Sequence, residues 1–505
     1  MKKLLILFLA LLLLITGCAP AKEDKSAENT TEAPQTAEPA DADPTETPAP
    51  DATPGPQAEP PYKDAREMYT SVMTNERDKK WEEDVVYFAN TYLDPYHGHA
   101  LLTDRLQTTT IYNSTLLRLA QSGKENFFDP ELKARFIEKI NEIILSIPER
   151  TDDEVVFGLW EAAALLPDLH AYVGATEHIN EEALLLSVAP IQTEDGLSCV
   201  IDACGEEYAD RLLGRRLIAV NGLTLAEIKE KMRPIIHYES ESALDACVVG
   251  RRNSCIMACE LLRYIGVMDE GDTVTLTVRS AGGEEAEVSI RSFNLSGSWQ
   301  DAIVAYYEPE NNPGDADFRL VESDRSINAW YRLLEDGEAL YLRINECDAD
   351  ESFAPMLDEA FAAAAETGKF KKVIIDVRSN PGGYPDLEGN YQNIVNYLDA
   401  CDAEVYILIN GESFSGAIAL PSMLRRRVEK AQLVGAPGGQ PVRFFYGREY
   451  YLPNSGIKFK CSSRYADFWP DYGEGPLMPD TAVYQTWEDY LAGYDSVLKY
   501  ILELK

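Results

Sequence analysis

Two apolar runs, each ending in a tight turn and lying about thirty residues apart, constrain this chain more than any other feature. The first is Val373-Ile374-Ile375-Asp376-Val377, which leads into Arg378-Ser379-Asn380-Pro381-Gly382-Gly383. The second is Glu404 to Ile409, which leads into Asn410-Gly411-Glu412-Ser413-Phe414-Ser415-Gly416-Ala417. Short apolar runs of this kind, bounded by turn residues, read as buried strands. The Asn-Pro-Gly-Gly turn offers backbone N–H groups with no side chain in front of them. The second turn sets a serine at a strand end, just ahead of the helical-looking run Ala417 to Arg427. A serine so placed can attack a carbonyl while nearby N–H groups hold the oxyanion.

The rest of the region alternates in the same way. Ala339 to Ile344 reads as a strand and Phe353 to Thr367 as an alanine-rich helix. From about Asp301 onward this β-α-β-α order implies a mainly parallel sheet with helices packed on it. Upstream, Tyr62 to about Gly174 reads helical, with apolar residues at three- and four-residue spacing through Leu132 to Ile147. Between the two, Thr273 to Val278 and Ala286 to Ile290 alternate as strands joined through Gly282-Gly283, a hairpin signal. The stretch Tyr238 to Val267 reads as a helical insertion in this β region.

Together the Asp-Val-Arg-Ser-Asn-Pro-Gly-Gly segment and the serine turn resemble the catalytic core of the C-terminal-processing and tricorn-like serine peptidases. The resemblance runs from roughly Trp81 to the end of the chain. It implies an α/β fold: a ClpP/crotonase-like peptidase core with a mainly parallel sheet, an N-terminal helical domain and a PDZ-like β domain. Leu213 to Gly222 is similar to the strand and turn that open a PDZ domain, with Arg215 where an acidic residue is usual. The implied boundaries are 63–180 for the helical domain, 181–300 for the PDZ-like domain and 301–505 for the peptidase core.

The resemblance also assigns roles. Ser415 is the expected nucleophile, with Ser413 as its rival, and the Phe-Ser-Gly pattern favours Ser415. The N–H of Gly382 or Gly383, plus that of Gly416, would hold the oxyanion, while Arg378 and Asn380 shape the turn. One branch of the family uses a lysine twenty-five residues after the serine. That position is Gln440 here, an amide without useful basicity, and Lys430 sits at a helix end. The tricorn-like branch uses a histidine instead, and Leu165-Leu166-Pro167-Asp168-Leu169-His170-Ala171 resembles its segment. His170 is therefore the expected base, and a neutral imidazole suits that task near pH 7. An acid near the C-terminus should orient it. Glu474 is placed in that role, with Asp471 and Asp168 as alternatives. His97 and His99 resemble a structural segment of the family. No acidic or cysteine partner stands at usable spacing, so no metal is expected.

The chain ends set the cellular context. Lys2 and Lys3 precede an apolar run from Leu4 to Ile15, and Ile15-Thr16-Gly17-Cys18 reads as a lipobox. Residues 1–17 are expected to be a signal peptide and Cys18 the lipidated mature N-terminus. Residues 18–62 form the expected tether: Ala19 to Pro61 holds ten prolines, ten acidic residues and two lysines, and no aromatic residue. Such a segment cannot bury enough apolar surface to fold. Of the formal net charge of −39, the first 18 residues supply +2 and the tether −8, which leaves −33 on the remainder. That balance argues against nucleic acid as a partner. Of the eight further cysteines, either some pair within Cys199 to Cys259 or they stay as buried free thiols. The expected protein is an extracytoplasmic serine endopeptidase, anchored to the cell membrane through lipid at Cys18. It would act on peptides or unfolded protein segments through an acyl-enzyme, without a cofactor. The rivals are an inactive peptide- or cell-wall-binding lipoprotein of the same fold, and an esterase or amidase.

Overall fold

The structure is a computed structural model that describes residues 73–93, 130–166, 168–176, 178–193, 196–251, 254–294, 304–309, 326–348, 351–383 and 389–505. The signal, the tether, His97 and His99 lie outside the described residues.

Three helices come first: α1 (Glu76–Leu93), α2 (Pro130–Ser146) and α3 (Asp152–Ala164). The start of α3 is fixed by a capping box, in which the Thr151 hydroxyl accepts the Glu154 N–H and the Glu154 carboxylate accepts the Thr151 N–H. Their apolar stripes, including Phe88, Tyr92, Phe136, Ile140, Phe157 and Trp160, are buried.

An antiparallel sheet of eight strands follows. Its strands are β1 (Glu182–Leu184), β2 (Leu186–Thr193), β3 (Gly196–Gly205), β4 (Arg216–Val220), β5 (Leu223–Thr224), β6 (Thr273–Arg279), β7 (Glu285–Asn294) and β8 (Val304–Tyr306). The order is β1-β7-β6-β4-β3-β2, with β5 beside β4 and β8 beside β3. The hairpin at Gly282-Gly283 joins β6 to β7 in register from Thr273–Arg291 to Arg279–Glu285. Between β5 and β6 the chain forms α4 (Leu225–Met232), α5 (Glu241–Val249) and α6 (Cys259–Tyr264), so the insertion is helical as its sequence suggests. One continuous apolar core joins this sheet to the three N-terminal helices.

The last part alternates: β9 (Ala329–Leu334), β10 (Ala339–Ile344), α7 (Phe353–Glu366), β11 (Lys372–Asp376), α8 (Asn390–Ala400), β12 (Glu404–Ile409), α9 (Gly416–Arg427) and β13 (Ala431–Gly435). Then come β14 (Arg443–Tyr451), β15 (Lys458–Asp467), β16 (Thr481–Ala482), α10 (Trp487–Ala492) and α11 (Ser496–Glu503). Six of these strands form one sheet in the order β16-β13-β12-β11-β10-β9. Every pair is parallel except β9 with β10. Leu340, Val373, Ile375, Val405 and Ile407 face a core with Leu357, Ile394, Ile418 and Leu424 from the helices. Tyr341, Ile374, Tyr406 and Leu408 face the opposite core, with Val497, Leu498 and Ile501 of α11. Covering both faces explains why these strands read as unbroken apolar runs.

The β14–β15 hairpin links the two halves. Phe459 on β15 packs against Phe88 and Tyr92, with ring centroids 5.3 and 6.1 Å apart. Asp84 of α1 accepts the backbone N–H groups of Asn454 and Ser455 at the hairpin tip, each at 2.8 Å. The segment after α3 adds itself to the free edge of β15: Val173 bridges Phe459, and the Lys460 N–H donates to the Tyr172 carbonyl at 2.8 Å. Among the described residues no helix is long and apolar enough to cross a membrane.

Candidate active site

Ser415 sits at the junction of β12 and α9, in the N-cap position of the helix. Its backbone adopts φ 55° and ψ −115°, a region non-glycine residues rarely occupy. Holding such a conformation costs about 1–3 kcal/mol and persists only where the surroundings over-determine it. A sharp, strained strand-to-helix turn of this kind pushes a side-chain hydroxyl out ahead of the helix.

The surroundings here are a mesh of short bonds. The Ser413 hydroxyl is fully buried; it donates to the Val377 carbonyl at 2.9 Å and accepts the Asn410 N–H at 3.0 Å. Ser413 thus stitches the two motif turns together and has no free oxygen to offer. The Phe414 N–H donates to the Asn380 carbonyl at 3.1 Å. Asn380 in turn donates to the Ile344 carbonyl at 2.9 Å and accepts the Gly382 N–H at 2.8 Å.

Arg378 locks the same turn from behind. It donates to Asp376 and, through both terminal nitrogens, to Asp495 at 3.0 and 2.7 Å. Asp495 also caps α11 by accepting the Val497 and Leu498 N–H groups. Burial alone would push the Asp376 carboxyl up, but Arg378 and Arg343 more than reverse this and leave it below its ordinary value.

His170 reaches the serine from the segment that lines β15. Its Nε2 stands 3.0 Å from Ser415 Oγ. The ring packs against Phe414, with centroids 4.4 Å apart, and against Phe444 of β14, stacked at 5.3 Å and 17°. The Asp168 carboxylate accepts the His170 backbone N–H at 2.9 Å and so shapes the turn that presents the ring. Burial holds the imidazole well below its ordinary value, and Lys460 adds to this. The ring is therefore neutral at pH 7. The contact works as a base–nucleophile pair when Oγ donates and Nε2 accepts.

The expected oxyanion donors divide. Gly382 packs flat against Ser415: a Cβ there would lie 2.5 Å from Ser415 Cβ. Its N–H, however, is taken by Asn380. The N–H groups of Gly383 and Gly416 have no partner among the described residues.

The structure does not bring the acids of the C-terminal loop to the histidine. The Glu474 side chain is 75% exposed and faces Arg443 at 3.9 Å. Asp471 is exposed as well. Gly473 and Gly475 flank Glu474 at φ 96° and 95°, and this glycine-bracketed turn carries the carboxylate outward. His170 Nδ1 is buried and without a partner among the described residues. Asp168 touches the histidine's backbone N–H, not its ring.

Two contributors were not legible as such in the sequence. Phe444 belongs to a strand whose register depends on a hairpin folding back across the helices. Gln440 is fully buried, and its Oε1 accepts the Ser415 N–H at 2.8 Å. All eight cysteines among the described residues are free thiols. Those at 199, 247, 255 and 347 are pushed up by burial, so they stay protonated and inert near neutral pH. No group of three or more metal-ligating side chains stands together among the described residues.

No family model and no curated protein matches this chain. Solved structures with a similar chain path include mature CPAF, at 15% identity and a TM-score of 0.47 over 73% of this chain and 90% of that one. The tricorn protease matches at 12% identity and 0.36, over 84% of this chain and 36% of its own. A candidate S41 protease from Bacteroides fragilis matches at 14% and 0.31, over 66% and 85%. The likeness to all three is one of chain outline.

Proposed function

We propose that the chain is a serine peptidase that cleaves peptides or unfolded protein segments through an acyl-enzyme, with Ser415 as nucleophile and His170 as base. One observation carries the reading: a neutral imidazole 3.0 Å from a serine held in a strained turn at the head of a helix. Oγ attacks the peptide carbonyl as its proton passes to Nε2. The N–H groups of Gly383 and Gly416 receive the charge that develops on the carbonyl oxygen. Burial and Lys460 disfavour a cationic ring, so the imidazolium hands its proton on to the departing amine. Water then attacks the ester, Nε2 takes the water's proton, and the acid leaves as Oγ regains a hydrogen. The two phenylalanines packed against the ring fix its plane, a task usually given to an acid.

The wider reading is a ClpP/crotonase-like core with a PDZ-like domain, held outside the cell by lipid on Cys18. It rests on the sequence motifs and on the parallel order of the six-stranded sheet. A fluorophosphonate probe tests the chemistry. The wild-type chain should be labelled and should release dye from labelled unfolded casein, and Ser415→Ala should do neither. A wild type that binds casein but takes no label would overturn the proposal and leave a binding lipoprotein.

A further inference from the structure

Resting on that reading, we propose that Gln440 is a positioning residue that holds the nucleophile in its reactive conformation. The amide orientation is not a free choice. A backbone N–H only donates, so the atom 2.8 Å from Ser415 N must be the side-chain oxygen. This leaves Gln440 Nε2 as a buried donor without a partner among the described residues. An apolar side chain of similar size would avoid that cost, so an amide here is best explained by what its oxygen does. The bond is made to the one residue of the turn whose φ is 55° and whose side chain must meet His170. It also removes the serine's own N–H from the set that can face an oxyanion. Gly416 N–H, the next along the chain, is left for that task.

The loop that carries Gln440 is built to keep the amide still. The Gly439 N–H donates to the Ser413 carbonyl at 3.0 Å, and the Gly438 N–H to the Leu477 carbonyl at 2.8 Å. A Cβ on Gly439 would lie 2.6 Å from the Gly411 carbonyl oxygen, so the two loops pack backbone to backbone. From the other side the helical insertion grips the loop. The Ser240 hydroxyl at the head of α5 donates to the carbonyls of Gly438 and Gly439 at 3.2 and 3.0 Å, and Ser242 donates to Pro437 at 2.7 Å. An insertion that is surplus to a small β domain thus fixes the residue that fixes the serine.

The test uses the full chain and the second-order rate of fluorophosphonate labelling, with casein turnover as a second readout. Gln440→Met, which has no acceptor, should slow both by about 10²-fold, the scale of a small misplacement of a reacting group, with the casein KM little changed. Gln440→Glu keeps an oxygen for the Ser415 N–H and should recover most of the rate on its alkaline plateau. A structural role alone would lower the unfolding temperature of both variants without this split. Equal rates for Gln440→Met and wild type, or Gln440→Glu no faster than Gln440→Met, would overturn the inference. Should Gln440→Met not fold, Ser240→Ala loosens the same loop and should slow labelling by roughly three- to tenfold, the weight of one hydrogen bond; an unchanged rate there also overturns it. A wild type that takes no label removes the peptidase reading and this inference together. A labelled wild type beside an equally fast Gln440→Met removes the inference alone.

Discussion

Ser415 Oγ and His170 Nε2 lie 3.0 Å apart although 245 residues separate them along the chain. Two residues before Ser415, Ser413 spends its hydroxyl on Val377 and Asn410. Ser413→Ala should therefore destabilise the fold by about 1–3 kcal/mol, because it strands two buried backbone groups. It should still take the fluorophosphonate label below its melting temperature. Thermal unfolding and labelling read in parallel check this, and a stable variant that no longer labels would reverse the two serines.

His170→Ala should lower turnover by about 10²–10⁴-fold. In the wild type, burial holds the imidazole below its ordinary value of 6.5, so the acid limb of kcat/KM should fall below pH 6.5. The stability effect has the matching sign. The folded chain binds this proton less readily than the unfolded chain, so the contribution is present above about pH 6.5 and is lost as the pH falls from there. A pH–rate profile with its acid limb at or above 6.5 would contradict the burial.

Asp168 should behave in the opposite way. Burial pushes its carboxyl up to about 7, against the pull of the His170 N–H and Lys460. The folded chain then binds the proton more tightly than the unfolded chain. Its stability contribution is present below the ordinary value of 3.8 and is lost as the pH rises through about 7. Asp168→Asn, which can still accept the backbone N–H, should thus gain stability relative to wild type as the pH rises from 4 toward about 7. Melting temperatures of both chains across that range decide it; parallel curves would refute the shift.

Arg378→Met should cost about 3–5 kcal/mol, since it leaves the buried carboxylates of Asp376 and Asp495 without their shared cation. Denaturant midpoints measure this. A loss below about 1 kcal/mol would mean that the network relaxes around the gap.

Glu474→Gln should change the labelling rate by less than about threefold, as befits an exposed acid that meets Arg443 only at 3.9 Å. A drop of 10²-fold would place the acid at the histidine during the reaction.

The core strands could be read from the sequence because each is covered on both faces and so shows as an apolar run closed by Gly, Pro or Asn. Ser415 was legible as a candidate for a similar local reason: it is a serine followed by glycine where a strand meets a helix. Gln440 was not, because a glutamine in a glycine-rich loop carries no mark of what its oxygen will face. That depends on backbone packing between Gly439 and Gly411. Phe444 was hidden by distance, since its contact with His170 needs a hairpin tip anchored on Asp84. The choice of Glu474 came from a motif's position. It could not anticipate the two left-handed glycines that turn the carboxylate to solvent.

The β14–β15 brace has a consequence for biosynthesis. A chain made N-terminus first carries His170 far ahead of Ser415, and the hairpin that unites them follows later still. Arg378, behind the same turn, waits even longer for its second carboxylate, Asp495. A chain that still lacks the hairpin or Asp495 therefore lacks contacts that hold Ser415 and His170 in place, so their meeting comes late in folding.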